Sequence, residues 1–280
     1  MKSSVPSSLG VIAGKGVYPR LLVESARHQG VSRIVAIAFK KETRPSISRV
    51  ADETVWLAMG QLEAMLKALT DSGVRQVVMA GQITPTHLFR IRPDRRMLAL
   101  LKTLHPRNAH TIFGAVCDQL EQAGLELLPA SSFMALHMPE PGLLTRRAPT
   151  PMEERDIQLG RQVGAATSVL EIGQTVVIKE GVILAVEAFE GTDETLKRAG
   201  RLGGPGAVVV KTAKRGHDMR FDIPVVGEHT LRAMKKSGAG ALAVEAGRCI
   251  MLDRAAVLAK ANRIGLCIVA VQGDAHADKT

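Results

Sequence analysis

The sequence predicts an α/β protein built from two domains. Short apolar runs, typical of buried strands, alternate along both halves of the chain with amphipathic segments of helical period. The length of 280 residues lies in the range where chains usually divide into domains. The proline-rich stretch PEPGLLTRRAPTP, from Pro139 to Pro151, interrupts the alternation and disfavours regular structure.

Strands that alternate with helices favour a parallel sheet that is covered on both faces. We therefore predict a Rossmann-like domain for nucleotide or phosphate binding over residues 1–135. Residues 136–152 form the predicted linker. Residues 153–280 form the predicted catalytic α/β domain, whose two hairpin signals indicate a mixed sheet.

The first domain is predicted to begin with a strand at Leu9–Ala13, a glycine turn at 14–16 and a helix at Tyr18–His28. Further apolar runs predict strands, and segments of helical period predict helices. The expected strands are Arg33–Ala38, Gln76–Ala80 and Leu125–Pro129, and the expected helices are Gln61–Thr70, Met97–Leu104 and Thr111–Gln122.

The second domain is predicted to begin with a long helix, Met152–Glu171, which Gly173 ends because glycine is favoured just past a helix terminus. Glu180-Gly181 predicts a tight turn between two strands. The remaining expected elements are the hairpin strands Thr175–Lys179 and Val182–Phe189, a strand at Ala207–Lys211, a helix at Glu228–Ser237, a second hairpin of Ala241–Glu245 with Cys249–Leu252, and a strand at Leu266–Val271.

The charge balance favours an anionic partner. Lys and Arg number 37 against 27 Asp and Glu, a net charge of +10, which suits nucleic acid, an acidic membrane or a phosphorylated small molecule. The 6 Phe, 1 Tyr and 1 Trp are too few for a platform on which bases stack. No apolar run approaches the ~20 residues of a membrane-spanning helix. The start, MKSSVPSSLG, lacks an apolar signal core, so we expect a cytoplasmic protein.

Several kinds of chemistry lack their sequence signatures. HExxH, GxSxG and the motifs of dimetal phosphoesterases are absent, and the eight histidines are dispersed. Cys117, Cys249 and Cys267 lie in apolar stretches without metal-ligand spacing, so we interpret them as buried structural residues.

The turn Gly14-Lys15-Gly16 lies between the first strand and a helix. Open α/β sheets bind ligands beyond the carboxyl ends of their strands, and the free N–H groups of a helix N-terminus attract anions. The turn is not a Walker A loop, and Pro19 stands where a dinucleotide fingerprint has its third glycine. It predicts either a phosphate contact or a merely tight turn.

A second strand end offers a glycine for close backbone approach, an amide and a hydroxyl, in Gly81, Gln82 and Thr84. The alternative is an ordinary loop that ends at Pro85.

A third strand end carries carboxylates. Glu187 departs from the apolar alternation of its strand, and Glu190, Gly191 and Thr192 precede a predicted helix. Carboxylates beside a helix N-terminus suit a site for Mg²⁺ with an anion. The alternative is a helix start with solvated acids.

Asp222 lies inside an apolar segment, and a buried carboxylate needs a partner. Its residue type fits either an ion pair with Arg220 or a metal-binding or catalytic role. Lys211, at the end of a strand, is a candidate phosphate clamp. Glu245 fits either a site acid or a hairpin charge.

Five segments carry a family resemblance over nearly the whole length of the chain. They are LGVIAGKGVYP, AGQITP, EIGQTVVIKEGVILAVEAFEGTDE, RFDIPVVG and AVEAGRCIMLDR. The pair VEAFEGTD and RFDIPVVG is the most specific. In these segments the chain resembles the LpxI family of UDP-2,3-diacylglucosamine pyrophosphatases.

The resemblance implies an enzyme with its active site in the interdomain cleft. It implies Mg²⁺-dependent hydrolysis of UDP-2,3-diacylglucosamine to UMP and 2,3-diacylglucosamine 1-phosphate, a step of lipid A biosynthesis. The family's essential aspartate falls on Asp222. The segment around His110 departs from an acidic stretch of several relatives, which leaves open whether His110 takes its place. The expected substrate-binding residues are Gly14, Lys15, Gly16, Gly81, Gln82, Thr84, Gln174, Glu190, Gly191, Thr192 and Glu245.

For the reaction, we expect water to attack one phosphorus while Mg²⁺ and Lys211 neutralise charge on the phosphate oxygens. Asp222 and Glu187 are the expected metal ligands, and Asp222 is alternatively the acceptor of the water's proton. The basic surplus predicts peripheral contact with the cytoplasmic face of the inner membrane. A homodimer is compatible with the resemblance.

Two other functions stay open. A nicotinamide-dependent oxidoreductase needs a ribose-binding acid after the second strand, where the sequence offers none before Glu42. A noncatalytic protein that binds a sugar nucleotide or nucleic acid would keep its function without Asp222, and its binding to nucleic acid would depend steeply on salt.

Overall fold

The computed structural model describes residues 5–82, 93–105, 109–170, 172–213, 218–221 and 223–273, without the side chains of 109 and 110. The chain forms two compact units, each with its own sheet. The first contains the described residues up to Met134 together with 218–221, and the second contains the others. The predicted fold class, with a parallel sheet followed by a mixed sheet, is confirmed.

The first unit is built on a five-stranded sheet in which all pairings are parallel. Its strands are β1 (Ser8–Ala13), β2 (Arg33–Phe39), β3 (Glu53–Leu57), β4 (Gln76–Ala80) and β5 (Glu126–Leu128), in the order β3-β2-β1-β4-β5. Its helices are α1 (Tyr18–His28), α2 (Leu62–Asp71), α3 (Arg95–Thr103) and α4 (Ala109–Gln122). The sequence analysis did not predict β3, an edge strand that is only partly buried.

Both faces of this sheet are buried. Every residue of β2 from Ile34 to Phe39 is buried, as expected for a parallel strand covered by helices on both sides. One core contains Ile37 together with Leu66 of α2 and Leu120 of α4. The loops that follow the strands, and not the side chains on the faces of the sheet, are therefore accessible to a ligand.

Residues 218–221 belong to the first unit although they follow strands of the second in the chain. The Ala130 N–H donates to the Met219 carbonyl at 2.7 Å. Arg220 pairs with Asp218 and with Glu121 of α4. The Phe221 ring lies 5.8 Å from that of Phe113. Hydrogen bonds from Arg220 to Asp218 raise the pKa of the guanidinium further above its ordinary range.

The second unit contains a six-stranded mixed sheet and a separate parallel pair. Its strands are β6 (Gly142–Leu143), β7 (Thr175–Lys179), β8 (Val182–Val186), β9 (Val208–Lys211), β10 (Val225–Val226), β11 (Ala241–Glu245), β12 (Ile250–Met251) and β13 (Cys267–Val271). Its helices are α5 (Pro151–Ser168), α6 (Thr192–Gly203), α7 (Glu228–Ser237) and α8 (Arg254–Arg263). The large sheet has the order β6-β13-β11-β9-β7-β8.

Helices cover both faces of the six-stranded sheet. Ile157 of α5 shares a core with Val210 on one face, whereas Val209 belongs to the core formed with α6, α7 and α8 on the other. Because side chains alternate along a strand, the next odd-numbered residue, Lys211, lies on the face of α6. No helix within the described ranges is both long and apolar enough to cross a bilayer.

Several features of the second unit differ from the sequence predictions. The long helix α5 ends at Ser168, so Gly173 is not its stop. The hairpin at Glu180-Gly181 is present, but the expected hairpin of β11 with Cys249–Leu252 is wrong. β11 pairs in parallel with β9 and β13, and β12 pairs instead with β10, because the Ile250 N–H donates to the Pro224 carbonyl. The predicted linker, 136–152, is part of the second unit, where β6 adds an antiparallel edge strand to β13.

Candidate functional site

The two glycine turns of the first unit lie side by side. The turn at Gly14-Lys15-Gly16 follows β1, and Gly81-Gln82 follows β4, the neighbouring strand. The chain fills the sheet from β1 outward on one side and then continues with β4 on the other, so these turns flank the topological switch point. Ligands of open α/β sheets bind at such points.

The backbones of these turns bond to each other. The Lys15 N–H donates to the Gln82 carbonyl at 2.6 Å, and the Gln82 N–H donates back at 3.3 Å. The Gly14 N–H donates to the Ala80 carbonyl at 2.7 Å. A Cβ at Gly14 would lie 2.6 Å from the Gln82 carbonyl oxygen, and one at Gly81 would lie 2.7 Å from that of Lys15. These glycines thus permit close approach, and the N–H groups of Gly14 and Lys15 are engaged within the protein.

The Lys15 side chain and the start of α1 remain suited to binding an anion. Gly16 leads into α1, whose N-cap residue Val17 makes no side-chain capping bond, and the Lys15 side chain is exposed. The N–H groups of a helix start and a nearby ammonium attract a phosphate. The predicted phosphate contact therefore stays a prediction for Lys15 and Gly16. Thr84 lies outside the described residues.

In the second unit, four side chains meet at one end of the sheet. Lys211 ends β9, and Thr175 begins β7 directly opposite it in the antiparallel register. Glu187 follows β8, and Thr192 is the first residue of α6. Glu187, Thr192 and Lys211 were predicted from the sequence. Thr175 was missed, and the signal that could have found it is a hydroxyl at the start of an otherwise apolar strand.

A chain of hydrogen bonds joins these four residues, which we call the polar cluster. The Lys211 Nζ donates to the Thr192 Oγ1 at 3.0 Å and to the Thr175 Oγ1 at 3.4 Å. The Thr192 hydroxyl donates to the Glu187 Oε1 at 3.0 Å. Because a hydroxyl carries one proton, the 3.3 Å contact between the two threonines has Thr175 as its donor.

Lys211 and Glu187 carry opposite charges at the two ends of this chain. Lys211 is only 7% exposed, and burying an ammonium is costly unless polar groups surround it. The second carboxylate oxygen of Glu187, Oε2, is buried and has no hydrogen-bond partner within the described part of the chain. Gly173 lies against Glu187, since a Cβ there would be 2.6 Å from its Cγ. The polar cluster thus offers one cation donor and one buried carboxylate oxygen that has no hydrogen-bond partner among the described residues.

Glu190 and Gly191 lie beside the polar cluster but have other tasks. Glu190 accepts hydrogen bonds from the Ala188 N–H at 3.1 Å, from Arg198 at 2.6 Å and from Thr195 at 3.2 Å. Its partial burial raises its pKa, but these hydrogen bonds outweigh burial and leave the pKa below its ordinary value. Gly191, with φ of 82°, begins the turn into α6.

Glu245 and Gln174 are not part of the polar cluster. Glu245 ends β11 on the face of Ala241, which packs with α5, and is therefore on the face opposite Lys211. Its carboxylate accepts from the Ala213 N–H at 3.0 Å and lies 3.7 Å from the Arg248 Nε. Gln174 precedes Thr175, and its carbonyl accepts from the Thr212 N–H at 3.1 Å. Substrate binding by both stays a prediction.

Asp222 and the side chain of His110 lie outside the described residues. Among the residues that the structure does describe, no group of three or more His, Cys, Asp or Glu could hold a metal ion. Mg²⁺ differs from zinc in this respect, because it usually binds through one or two carboxylates, water and substrate phosphates. The unpaired Oε2 of Glu187 fits a site of that kind, in which a second carboxylate and the substrate would complete the ligands.

Comparisons with known proteins cover both units. A family model described as the LpxI N-terminal domain matches residues 8–136, and one described as the LpxI C-terminal domain matches 140–269. A curated protein of Caulobacter vibrioides, UDP-2,3-diacylglucosamine pyrophosphatase LpxI, is 32% identical over 276 residues. The aligned region covers 94% of this chain and 97% of that protein.

Similarity to solved structures is weak. The biotin carboxylase subunit of pyruvate carboxylase aligns with 70% of this chain and 41% of its own, at 14% identity and a TM-score of 0.28. The biotin carboxylase domain of Hydrogenobacter thermophilus 2-oxoglutarate carboxylase aligns with 70% of this chain and 40% of its own, at 13% identity and a TM-score of 0.27. Neither similarity supports an inference about function.

Proposed function

Because this chain belongs to the LpxI family, we propose that it hydrolyses the diphosphate bond of UDP-2,3-diacylglucosamine to UMP and 2,3-diacylglucosamine 1-phosphate. The family models that match residues 8–136 and 140–269 confirm the family resemblance of the sequence. Support for the activity comes from a relative that carries this activity in its name and aligns with 94% of the chain.

The structural observation that carries the proposal is the hydrogen-bonded chain from Lys211 through Thr192 to Glu187. A lysine ammonium has three donors, and among the described residues two of them point to threonine hydroxyls. The third is suited to a phosphate oxygen. A cation that is already positioned for developing negative charge stabilises the transition state of phosphoryl transfer.

We propose Mg²⁺ as the cofactor, which the unpaired Oε2 of Glu187 and Asp222 would hold. When bound, Mg²⁺ supplies positive charge that neutralises oxygens of the diphosphate. Glu187 is oriented for this role by the hydrogen bond from Thr192, which occupies Oε1 and leaves Oε2 for a cation.

The reaction adds water across the P–O–P bridge. The water oxygen bonds to one phosphorus, and the bond from that phosphorus to the bridging oxygen breaks. We propose that Asp222 accepts the proton of the attacking water, as a general base. Lys211 donates to a diphosphate oxygen and thereby lowers the free energy of the charged transition state. Peripheral contact with the cytoplasmic face of the inner membrane and a homodimer complete the proposal.

The test is UMP release from UDP-2,3-diacylglucosamine by the purified protein, with EDTA and after Mg²⁺ is restored. We expect release to need metal and to fall by about a hundredfold or more in Lys211→Met, Glu187→Gln and Asp222→Ala. Glu154→Gln, which changes an exposed acid of α5, is the matched control and should retain turnover. Near-normal turnover of Asp222→Ala at saturating Mg²⁺, or no UMP release by folded wild type with any metal, would contradict the proposal.

A further inference from the structure

A basic groove lies between α6 and α7 of the second unit. It has a volume of about 640 Å³ and is lined by four long cationic side chains. Those side chains are Lys197 and Arg201 of α6 with Arg232 and Lys236 of α7. The helices approach closely at Gly200, where a Cβ would lie 2.7 Å from the Ser237 carbonyl oxygen. The contact holds the cations of both helices along one opening.

The acids of the groove neutralise only part of this charge. Asp193 pairs with His229, with its Oδ2 at 3.3 Å from the Nδ1, and Glu194 pairs with Lys197 at 3.3 Å. Within the described part of the chain, the three remaining groove cations form no ion pair. They are Arg201, Arg232 and Lys236. The nearby Glu228 also attracts Arg232, but its carboxylate pairs with Lys260, whose Nζ lies 2.6 Å away.

Helix stability explains only part of this arrangement. Cations in the last turn of a helix are stabilised by the helix dipole, which accounts for Arg201 and Lys236. Arg232 lies in the middle of α7 and has no such support. Like charges that converge from two helices destabilise each other unless an anion lies between them. The groove therefore fits a ligand that carries several negative charges.

One feature selects a membrane surface as that ligand. The groove begins at Asp193, the residue after Thr192 of the polar cluster. A surface beside the site of a lipid substrate would keep that substrate within its leaflet. This step rests on the proposed function.

We infer that the groove between α6 and α7 is the surface through which this protein binds anionic phospholipid. Headgroup phosphates occupy the space between Arg201, Arg232 and Lys236. Since each Lys or Arg near an anionic surface strengthens binding roughly fivefold, Arg201→Gln with Arg232→Gln should weaken vesicle binding on the order of 20-fold.

The experiment measures co-sedimentation with vesicles of equal parts phosphatidylcholine and phosphatidylglycerol, and with phosphatidylcholine alone. Arg49→Gln with Arg155→Gln is the matched control, because it removes the same charge from exposed positions of α5 and of the first unit. We expect the control to bind acidic vesicles like wild type and the groove variant to lose this binding. Equal binding by the two variants would overturn the inference, as would groove-dependent binding of a labelled oligonucleotide in place of vesicles.

Hydrolysis separates this inference from the proposed function. With substrate in nonionic detergent micelles, both double variants should turn over like wild type, whereas on acidic vesicles the groove variant should show a raised KM. If vesicle binding depends on the groove but the protein does not hydrolyse the substrate, lipid binding by the groove is supported and the proposed hydrolase activity is wrong. If the groove variant hydrolyses substrate on acidic vesicles with the wild-type KM, the inference about the groove is wrong and the proposed hydrolase activity is supported.

Discussion

The ammonium nitrogen of Lys211, at the end of β9, lies 3.0 Å from the hydroxyl oxygen of Thr192, the first residue of α6. The same hydroxyl donates to Glu187. One threonine therefore positions both the cation and the carboxylate of the polar cluster, and the start of α6 sets the geometry of the proposed site.

Thr192→Val keeps the shape of the side chain and removes its hydroxyl. We expect turnover to fall about tenfold or more, because Lys211 loses its shorter hydrogen bond and Glu187 loses its donor. Thr192→Ser should retain most of the activity. The measurement is kcat and KM for both variants, with melting temperatures to check folding. A Thr192→Val enzyme with wild-type kcat would show that this hydroxyl positions nothing.

Asp156 of α5 stabilises the β7–β8 hairpin. This carboxylate is 2% exposed and accepts from the Glu180 N–H at 2.9 Å and the Gly181 N–H at 2.7 Å. Asp156→Ala leaves both donors unpaired and should lower the free energy of unfolding by about 3 kcal/mol in urea titrations. Glu154→Ala, at an exposed neighbouring position, should change it by less than about 0.5 kcal/mol. Equal effects of the two changes would mean that the turn does not need the carboxylate.

The close contact between the glycine turns predicts a cost for any side chain at Gly81. Gly81 has φ of 95°, and its Cβ would lie 2.7 Å from the Lys15 carbonyl oxygen. Gly30 is a matched control, because it has φ of 105° and a Cβ added there would meet open space. Gly81→Ala should therefore destabilise the protein by at least about 1 kcal/mol more than Gly30→Ala in thermal or urea unfolding. If the two variants lose the same free energy of unfolding, the cost at Gly81 comes from backbone strain alone and not from the contact with Lys15.

Acid should weaken the ion pair of Arg147 with Glu153, whose atoms lie 2.8 Å apart. Burial by itself raises the pKa of Glu153, but hydrogen bonds from Arg147 and the Thr150 N–H outweigh it and hold the pKa below 4.5. A carboxyl whose pKa is lower in the folded than in the unfolded protein adds stability above the unfolded value. That stability is lost as the pH falls through the folded value.

We therefore expect Glu153→Gln to be less stable than wild type at neutral pH, with the difference shrinking as the pH falls below 4.5. Urea titrations of the two proteins across this range measure the effect. A difference that does not change with pH would show that the ionised carboxylate is not what stabilises this corner.

The cysteines should be inert in the folded protein. Burial raises the pKa of both Cys117 and Cys249 to about 12, and for Cys249 this outweighs the attraction of Lys211. All three thiols are buried and free, as predicted from the sequence. A disulfide reagent at mildly alkaline pH should react with none of them until denaturant is added, since the thiolate is the reactive form. Rapid reaction of native protein would contradict this burial.

The sequence by itself determined most of the elements. Short apolar runs predicted β1, β2, β4, β9 and β13, because a strand buried by helices on both faces is apolar along its length. Lys211 and Glu187 were identified as candidate site residues because each is a charged residue at the end of an apolar run. A charge beside a buried strand costs free energy unless it has a partner or a function. The family resemblance was likewise readable from local segments.

Only the tertiary structure decided which of these elements and residues meet. The register of β7 with β9 brings Thr175 opposite Lys211, and the pleat separates Glu245 from both. The pairing of β12 with β10 and the place of residues 218–221 in the first unit also depend on contacts between distant parts of the chain. The pattern of apolar and polar residues within a segment reflects how that segment is buried. Strand pairing depends on contacts between segments that are far apart in the sequence. No local stretch of the sequence therefore shows which strands pair.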